Sequence, residues 1–122
     1  MPRLIEILLY KLKPGTGGEF FDIMHNISVP LHRQNGIDVI WHGQSMHDPD
    51  GYGLIRGFAD MAELDEAQSA FYAGDAWKTG PREAIISRIE TATKIIIPMN
   101  ADAVRGLREQ GYHAVTAARH GF

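Results

Sequence analysis

Three of the six histidines in this 122-residue chain stand where they could take part in chemistry. His25 and His32 lie in a segment with a helical pattern, and His42 lies in a strand-like segment. A histidine titrates near neutral pH and can act as a base, an acid or a metal ligand. We predict His25, His32 and His42 as candidate catalytic residues; the alternative is that the helical pair are partly exposed surface groups.

The spacing of the two helical histidines favours one kind of site over another. Residues seven apart lie on the same flank of an uninterrupted helix, so His25 and His32 are predicted to face the same side. Metal-ligand pairs on a helix are usually one turn apart, so this spacing does not favour a metal. No metal site is predicted.

Polar side chains also interrupt the strand-like segments. Strand alternation predicts that Glu6 and Tyr10 share one face of the first strand and that Arg56 shares a face of the third strand with apolar neighbours. In the strand between residues 38 and 46, alternation places Trp41 with Val39 and Gly43, opposite the face of His42. Because a buried charge is rare unless it is paired, one interpretation is a Glu6–Arg56 ion pair. The other is a pocket in which Tyr10 and Trp41 line the walls and Arg56 holds an anionic group.

A third group of candidates is Trp77-Lys78-Thr79-Gly80-Pro81-Arg82. Arg82 is predicted near a helix start, where backbone N–H groups and a guanidinium together favour an anion such as a carboxylate. Trp77 is predicted to stack on a ligand beside it. The structural alternative is that Trp77 anchors the loop in the core and Arg82 pairs with an acidic neighbour.

Composition and missing motifs exclude several classes of protein. The chain has no cysteine, which rules out a disulfide framework, a thiol nucleophile and a zinc–cysteine site. It contains no GxGxxG, GxxxxGK[ST], GxSxG or HExxH pattern, which counts against dehydrogenases, NTPases and common hydrolases, and no cofactor is predicted. The net charge of -3 argues against nucleic-acid binding. No apolar run reaches the roughly 18 residues of a membrane helix, and Glu6 interrupts the first apolar run, so a cytoplasmic protein without a signal peptide is expected.

Periodicity predicts the elements that would position these residues. Apolar runs and turn residues predict strands over 4–12, 38–46, 52–58 and 93–98. A capping box at Thr16 and Glu19 predicts a helix that ends near Asn35-Gly36 with a kink or break at Pro30. A second capping pair at Asp60 and Glu63 predicts a helix to Ala73, and Gly80-Pro81 restarts one. A closing helix runs from an Asn100 cap to Gln110, and the tail from Tyr112 to Phe122 has no clear pattern.

The order β-α-β-β-α-β predicts an α+β, ferredoxin-like split βαβ sandwich, with a four-stranded antiparallel sheet, helices on one face and an extra C-terminal helix. The opposite face of the sheet would expose a large apolar surface, which is rare on a stable monomer. We therefore predict a homodimer that packs through its sheet faces.

Two stretches carry a family resemblance. They are YKLKPG over residues 10–15 and FYAGDAWKTGPREAIISRIE over residues 71–90. With the element order, they resemble the NIPSNAP family over roughly residues 3–98. The resemblance implies a dimeric α/β-barrel, with a NIPSNAP-like domain at 1–100 followed by a C-terminal helix and tail at 101–122. It implies little about activity, although the wider dimeric α/β-barrel group includes cofactor-independent monooxygenases, isomerases and haem-handling enzymes.

Three functional hypotheses follow. The first is that the chain binds a small organic molecule in a pocket between sheet and helices without turning it over. The second is a cofactor-independent monooxygenase or isomerase acting on a small apolar or carboxylated substrate in the same pocket, with a histidine moving protons. The third is a partner-binding protein that uses the positively biased C-terminus, which carries Arg105, Arg108, His113, Arg119 and His120.

Overall fold

The four strands form one antiparallel sheet with the order β2-β3-β1-β4. The computed structural model describes residues 2–109. The first and third strands pair through the middle of the sheet, and the two remaining strands form its edges, as the split βαβ arrangement requires. The predicted fold class is confirmed. The strands are β1 Arg3–Leu12, β2 Asp38–Gln44, β3 Gly51–Phe58 and β4 Ile89–Met99.

The helices of the crossovers lie on one face of this sheet. Their apolar side chains and those of the sheet form a single core that includes Phe20, Leu54, Phe58, Phe71 and Trp77. The helical segments are α1 Gly17–Ile23, a π-helical turn Met24–Ser28, α2 Val29–Gln34, α3 Met61–Ala73, α4 Asp75–Thr79, α5 Arg82–Ile86 and α6 at residues 101–109. None of these described helices combines the length and the apolar character needed to cross a membrane.

The two predicted capping boxes have different outcomes. At α3 the Asp60 carboxylate accepts a hydrogen bond from the Glu63 backbone N–H at 2.8 Å, as predicted. At α1 the Thr16 hydroxyl instead donates to the carbonyl of Lys13, so the predicted cap is wrong. Asp50, from the β2–β3 hairpin, takes its place by accepting from the backbone N–H groups of Gly15 and Gly17 at 2.9 and 3.0 Å. The hairpin thus fixes the start of α1.

The irregularity expected at Pro30 is a π-helical turn just before it. The chain stays helical through Pro30, which occupies the first turn of α2, where its missing N–H costs little. The π-turn holds one more residue than an α-helical turn and rotates all that follows by about 100°. His25 and His32 therefore do not share a flank: His25 is exposed and His32 is 1% exposed.

A β-bulge corrects the predicted alternation in β2. The register with β3 shifts between Val39 and Trp41, so that one extra residue, Ile40, is inserted. Val39 packs in the helix-side core, whereas Ile40 belongs to the core on the opposite face. Trp41 also lies on that opposite face and not on the face of Val39 as predicted, and His42 pairs with Leu54 on the helix side.

The face opposite the crossover helices, here called the open face, is partly covered by α6. Val104 of α6 packs against Ile5 and Ile40, and the Asn100 side chain accepts a hydrogen bond from the Ala103 N–H at 2.9 Å, as the predicted cap requires. Leu9 and Ile95, farther along the same face, are 56% and 55% exposed. The predicted end of α6 at Gln110-Gly111 and the tail from Tyr112 lie outside the described residues.

Candidate functional site

Two groups of interacting side chains occupy the layer between sheet and helices. The buried network consists of Glu6, His32, Arg56, Gln68 and Tyr72. The edge cluster consists of Phe21, His25, His42 and Tyr52, beside the edge strand β2. The π-turn separates them, because it directs His25 to the edge cluster and His32 to the buried network.

An ion pair forms the centre of the buried network. Arg56 Nε donates to Glu6 Oε1 at 2.7 Å, and Arg56 Nη2 lies 2.6 Å from the same oxygen. The Arg56 Nη1 group donates to the Tyr72 hydroxyl oxygen at 2.7 Å. Glu6 is 0% and Arg56 2% exposed. This confirms the predicted Glu6–Arg56 pair, and the guanidinium uses its donors on protein partners and not on an open pocket.

His32 is a neutral hydrogen-bonding member of this network. Its Nδ1–H donates to the backbone carbonyl of Ser28 at 2.7 Å, which leaves Nε2 to accept from Arg56 Nη1 at 3.1 Å. Burial is the main reason that the pKa of His32 is lowered to about 4, and the nearby Arg56 charge contributes in the same direction. His32 is therefore a neutral acceptor for Arg56 at neutral pH, held by the turn of helix that follows the π-turn.

The second oxygen of the Glu6 carboxylate faces the outer part of the network. Glu6 Oε2 accepts from Gln68 Nε2 at 2.7 Å, and Lys94 Nζ approaches it to 3.6 Å. Lys94 is about half exposed on β4, so solvent is close to this end of the network. The charged groups are thus paired in the interior, which is the condition for keeping them ionised there.

The edge cluster is a hydrogen-bonded chain that runs from solvent into the core. Its outer member, His25, is exposed, and its Nδ1 lies 3.2 Å from Nε2 of His42. His42 Nδ1 in turn lies 2.6 Å from the hydroxyl of Tyr52, which is 2% exposed. The Phe21 ring packs against both imidazoles, with ring centroids 5.4 and 5.3 Å away. The side chains of the α1–π segment, β2 and β3 are thereby held in one arrangement.

Burial sets the protonation states along this chain. It lowers the pKa of His42 to about 4, with a further contribution from His25, so the His42 ring is neutral at pH 7. Burial also raises the pKa of Tyr52 well above its usual range and that of Tyr10 to about 12. The hydroxyl of Tyr52 therefore keeps its proton, and the neutral His42 ring can either accept that proton in a hydrogen bond or donate to the oxygen.

Tyr10 and Trp41 lie on opposite faces of the sheet. Tyr10 sits opposite Tyr52 across β1 and β3, with ring centroids 6.2 Å apart, and so adjoins the edge cluster. Trp41 covers Gly43 and Gly53 on the open face; a side chain at either glycine would come within about 3 Å of the indole ring. Of the two predicted pocket aromatics, only Tyr10 is near the histidines.

Trp77 and Arg82 fit their structural alternatives better than a ligand site. Trp77 is 7% exposed and packs on Phe71 and Tyr72, with centroid distances of 5.6 and 5.1 Å. Arg82 has a half-exposed side chain 3.9 Å from the carboxylate of Glu83. It begins α5, a five-residue helix, and the structure does not bring it together with the histidines.

Sequence reasoning missed four members of these groups: Phe21, Tyr52, Gln68 and Tyr72. Tyr52 carried a usable signal, because it shares a strand face with Arg56 and falls opposite Tyr10 once the hairpin register is drawn. Gln68 and Tyr72 lie one turn apart on α3, and no sequence pattern singles out either residue. Across residues 2–109, no group of three or more His, Cys, Asp or Glu side chains is arranged to hold a metal ion.

The chain resembles known proteins in its fold, whereas searches with its sequence find no match. No protein-family model matches the chain, and no curated protein matches it. A NIPSNAP family protein of Agrobacterium tumefaciens superimposes with a TM-score of 0.73 at 14% identity, over 81% of this chain and 87% of that one. A NIPSNAP-like domain protein of Burkholderia xenovorans gives 0.73 at 18% identity, over the same shares.

A third solved structure broadens the comparison. A putative antibiotic biosynthesis monooxygenase from Bacteroides thetaiotaomicron superimposes with a TM-score of 0.58 at 15% identity, over 76% of this chain and 85% of that one. At such identities the likeness concerns architecture alone. The resemblance noted in the sequence is confirmed at that level: this chain has the α+β, ferredoxin-like fold of solved NIPSNAP family proteins.

Proposed function

We propose that this protein binds a small organic molecule at the outer end of the edge cluster, between the α1–π segment and β2. One observation carries the proposal: His25, His42 and Tyr52 form a hydrogen-bonded chain that begins at an exposed side chain and ends at a buried one. Ionisable groups that converge in such a place are the common mark of a ligand site.

The buried network is less suited to contact a ligand directly. Its central residues are at most 2% exposed, and the donors of Arg56 are directed at Glu6, His32 and Tyr72. Its role in the proposal is to hold the sheet and helices at a fixed separation. The π-turn ends at Ser28, whose carbonyl is held by His32, so the network also supports the segment that presents His25.

The chemistry of the edge cluster defines the class of molecule. An imidazole nitrogen can accept a hydrogen bond from an acidic O–H, and the Phe21 ring offers an apolar surface next to it. A small aromatic or enolic molecule with a hydroxyl or carboxyl group would match both features. The proposed ligand is therefore planar, partly apolar and weakly acidic.

We also propose that a second copy of the chain covers the free part of the open face. Leu9 and Ile95 are more than half exposed there, and they continue the apolar surface that α6 covers around Ile5 and Ile40. A continuous apolar surface of this kind is typical of an interface. Sedimentation equilibrium would give a dimer mass, and Leu9→Lys would shift the mass to that of a monomer if this face is the contact.

The ligand proposal is tested first by native mass spectrometry of gently purified protein, which reports any retained molecule. In a second step, 4-hydroxybenzoate is used as a probe in an NMR titration of imidazole and tyrosine signals. Binding should be weakened by His25→Ala and His42→Ala and unchanged by His47→Ala, an exposed histidine on the β2–β3 loop. Equal binding by all three variants, or signal changes confined to other surfaces, would contradict the proposal.

A second candidate function is a cofactor-independent enzyme of the monooxygenase or isomerase kind, in which a histidine of the edge cluster takes a proton from the bound molecule. The specific observation in its favour is that His42, neutral at pH 7, contacts Tyr52 on one side and His25 on the other. Deuterium exchange into the acidic C–H of a 1,3-diketone probe would report this activity. Exchange no faster than with the His25→Ala variant would leave binding as the function.

A further inference from the structure

The two imidazoles of the edge cluster present ring nitrogens to each other at a separation that suits more than a hydrogen bond. His25 Nδ1 and His42 Nε2 are 3.2 Å apart. Two ligand nitrogens at about 2.05 Å from a common metal ion and 3.2 Å from each other subtend an angle of about 100°, near the tetrahedral value. The pair thus has the spacing of two ligands on one ion.

We propose that His25 Nδ1 and His42 Nε2 together bind a divalent transition-metal ion of the copper, nickel or zinc type. Imidazole nitrogen is a preferred ligand for these three ions. With two protein ligands, the other coordination positions are open to water or to the oxygen atoms of a small molecule. The inference does not depend on the proposed function, because it concerns the metal alone.

The second hydrogen bond of His42 fits the role of a metal ligand. Histidines that bind metals usually donate the other ring N–H to a nearby oxygen, which fixes the ring and its tautomer. The Tyr52 hydroxyl oxygen lies 2.6 Å from His42 Nδ1 and can accept that proton. Tyr52 is itself 2% exposed and held by the core, so it provides a rigid support for the ring.

The two ligands come from elements that the fold already holds together. Phe21 packs on both rings, and the π-turn directs the His25 side chain towards β2. A preformed pair loses little conformational freedom when an ion binds, in contrast to two histidines on mobile loops. The exposure of His25 gives an ion in solvent access to the pair.

Without a metal ion, a proton shared by the two rings lies between these nitrogens. Competition between the proton and the ion makes metal binding depend on pH. The 3.2 Å contact is satisfied without metal when one ring donates to the other. A bound ion takes the lone pairs of both nitrogens, so the proton that lay between them moves to the other nitrogen of its ring. Protons compete with the ion for the same nitrogens, so binding should weaken as the pH falls. A hydrogen bond alone does not predict metal binding with this pH dependence.

The test is calorimetric titration of the untagged full chain with CuCl₂, NiCl₂ and ZnCl₂ at several pH values between about pH 5.5 and pH 7. We expect one site of this kind per chain, in the affinity order copper above nickel and zinc, with affinity that falls as the pH falls. His25→Ala or His42→Ala should abolish that site, and Tyr52→Phe should weaken it by about 10-fold through loss of the supporting hydrogen bond. His25→Ala changes an exposed side chain, so the folded state of this variant is readily checked by circular dichroism.

His47→Ala is the matched control, since it removes an exposed histidine outside the pair and should leave the site intact. All variants keep His113 and His120, so metal bound by the C-terminal tail contributes equally to each. Two results would overturn the inference: wild-type protein that takes up no metal at millimolar concentration, or a His25→Ala/His42→Ala double variant that binds like wild type. Either result leaves organic-ligand binding in metal-free buffer as a separate measurement.

Discussion

The buried network and the edge cluster each contain a histidine and a tyrosine, but they differ in where their hydrogen bonds end. In the buried network, Glu6 and Arg56 find all their partners inside the protein. In the edge cluster, the chain of contacts stops at His25, which is exposed. Polar groups whose hydrogen bonds are all made inside the protein contribute to stability. An exposed group at the end of a hydrogen-bonded chain remains available to bind a ligand or a metal ion. Substitutions in the two regions should therefore differ in their effect on stability.

The largest effect is expected from breaking the buried ion pair. Arg56→Ala leaves the Glu6 carboxylate in the interior without its partner, which should cost about 3–5 kcal/mol of unfolding free energy. Urea denaturation followed by circular dichroism measures this. Replacing both charges, as in Glu6→Gln with Arg56→Met, should restore most of the loss. A small loss for Arg56→Ala alone would show that the network is not the closed structural unit described here.

The next effect concerns pH and the buried histidine. Because the folded state lowers the pKa of His32 from its usual value near 6.5 to about 4, the unfolded chain binds the proton more tightly. The contribution of His32 to the unfolding free energy is complete above about pH 6.5. It is lost as the pH drops towards 4, and this loss amounts to up to about 3 kcal/mol. His32→Gln should flatten this slope in urea midpoints measured from pH 7 to pH 4. An unchanged slope would assign the acid sensitivity to other groups.

A smaller effect on stability is expected at the inner end of the edge cluster. Tyr52→Phe keeps the ring packed against Tyr10 and Phe20 and removes one hydrogen bond to His42, for about 1 kcal/mol. The variant should also bind a metal ion at His25 and His42 more weakly, and this loss of metal affinity should exceed what its change in stability suggests. If Tyr52→Phe changed stability as much as Arg56→Ala, the distinction between the two regions would fail.

The smallest effect is expected from a surface ion pair, which provides a scale for the other three. Arg108 of α6 makes two hydrogen bonds of 2.8 Å to the Asp38 carboxylate, and Arg3 makes a third. The arginines lower the pKa of Asp38 to about 2, yet the groups are partly exposed and screened by salt. Arg108→Ala should cost about 0.2–1 kcal/mol, and less at 1 M NaCl. A loss comparable to that of Arg56→Ala would mean that α6 is essential to the core.

Much of the fold follows from local patterns, and the parts that do not follow have identifiable causes. Alternation, turn residues and the Asp60 cap predict the strands, the hairpin and α3, because each depends on neighbours in sequence. The cap of α1 does not, since Asp50 reaches it from a hairpin more than thirty residues away. The short helix α4 was missed because its five residues are too few to show a period.

The sequence predicts the residue types of the candidate site, but it predicts wrongly which of these residues lie together. Glu6 with Arg56 follows from the rule that buried charges pair. The grouping of histidines fails because two one-residue irregularities, the π-turn and the bulge at Ile40, each change which face a side chain occupies. Neither leaves a clear mark in hydrophobic periodicity. The contact of His25 with His42 could be found only once both shifts were known.

The π-turn has a consequence for comparing this chain with its relatives. A helix with one extra residue corresponds to a single-position gap in an alignment with a helix that lacks it. Without that gap, the alignment would match the residues that follow Met24–Ser28 with positions about 100° around the helix from their true equivalents. Deleting Asn26 is the engineering counterpart: it should convert the segment to a continuous α-helix and remove either His25 or His32 from its partners. A single insertion or deletion at this point can therefore change the site as much as several substitutions.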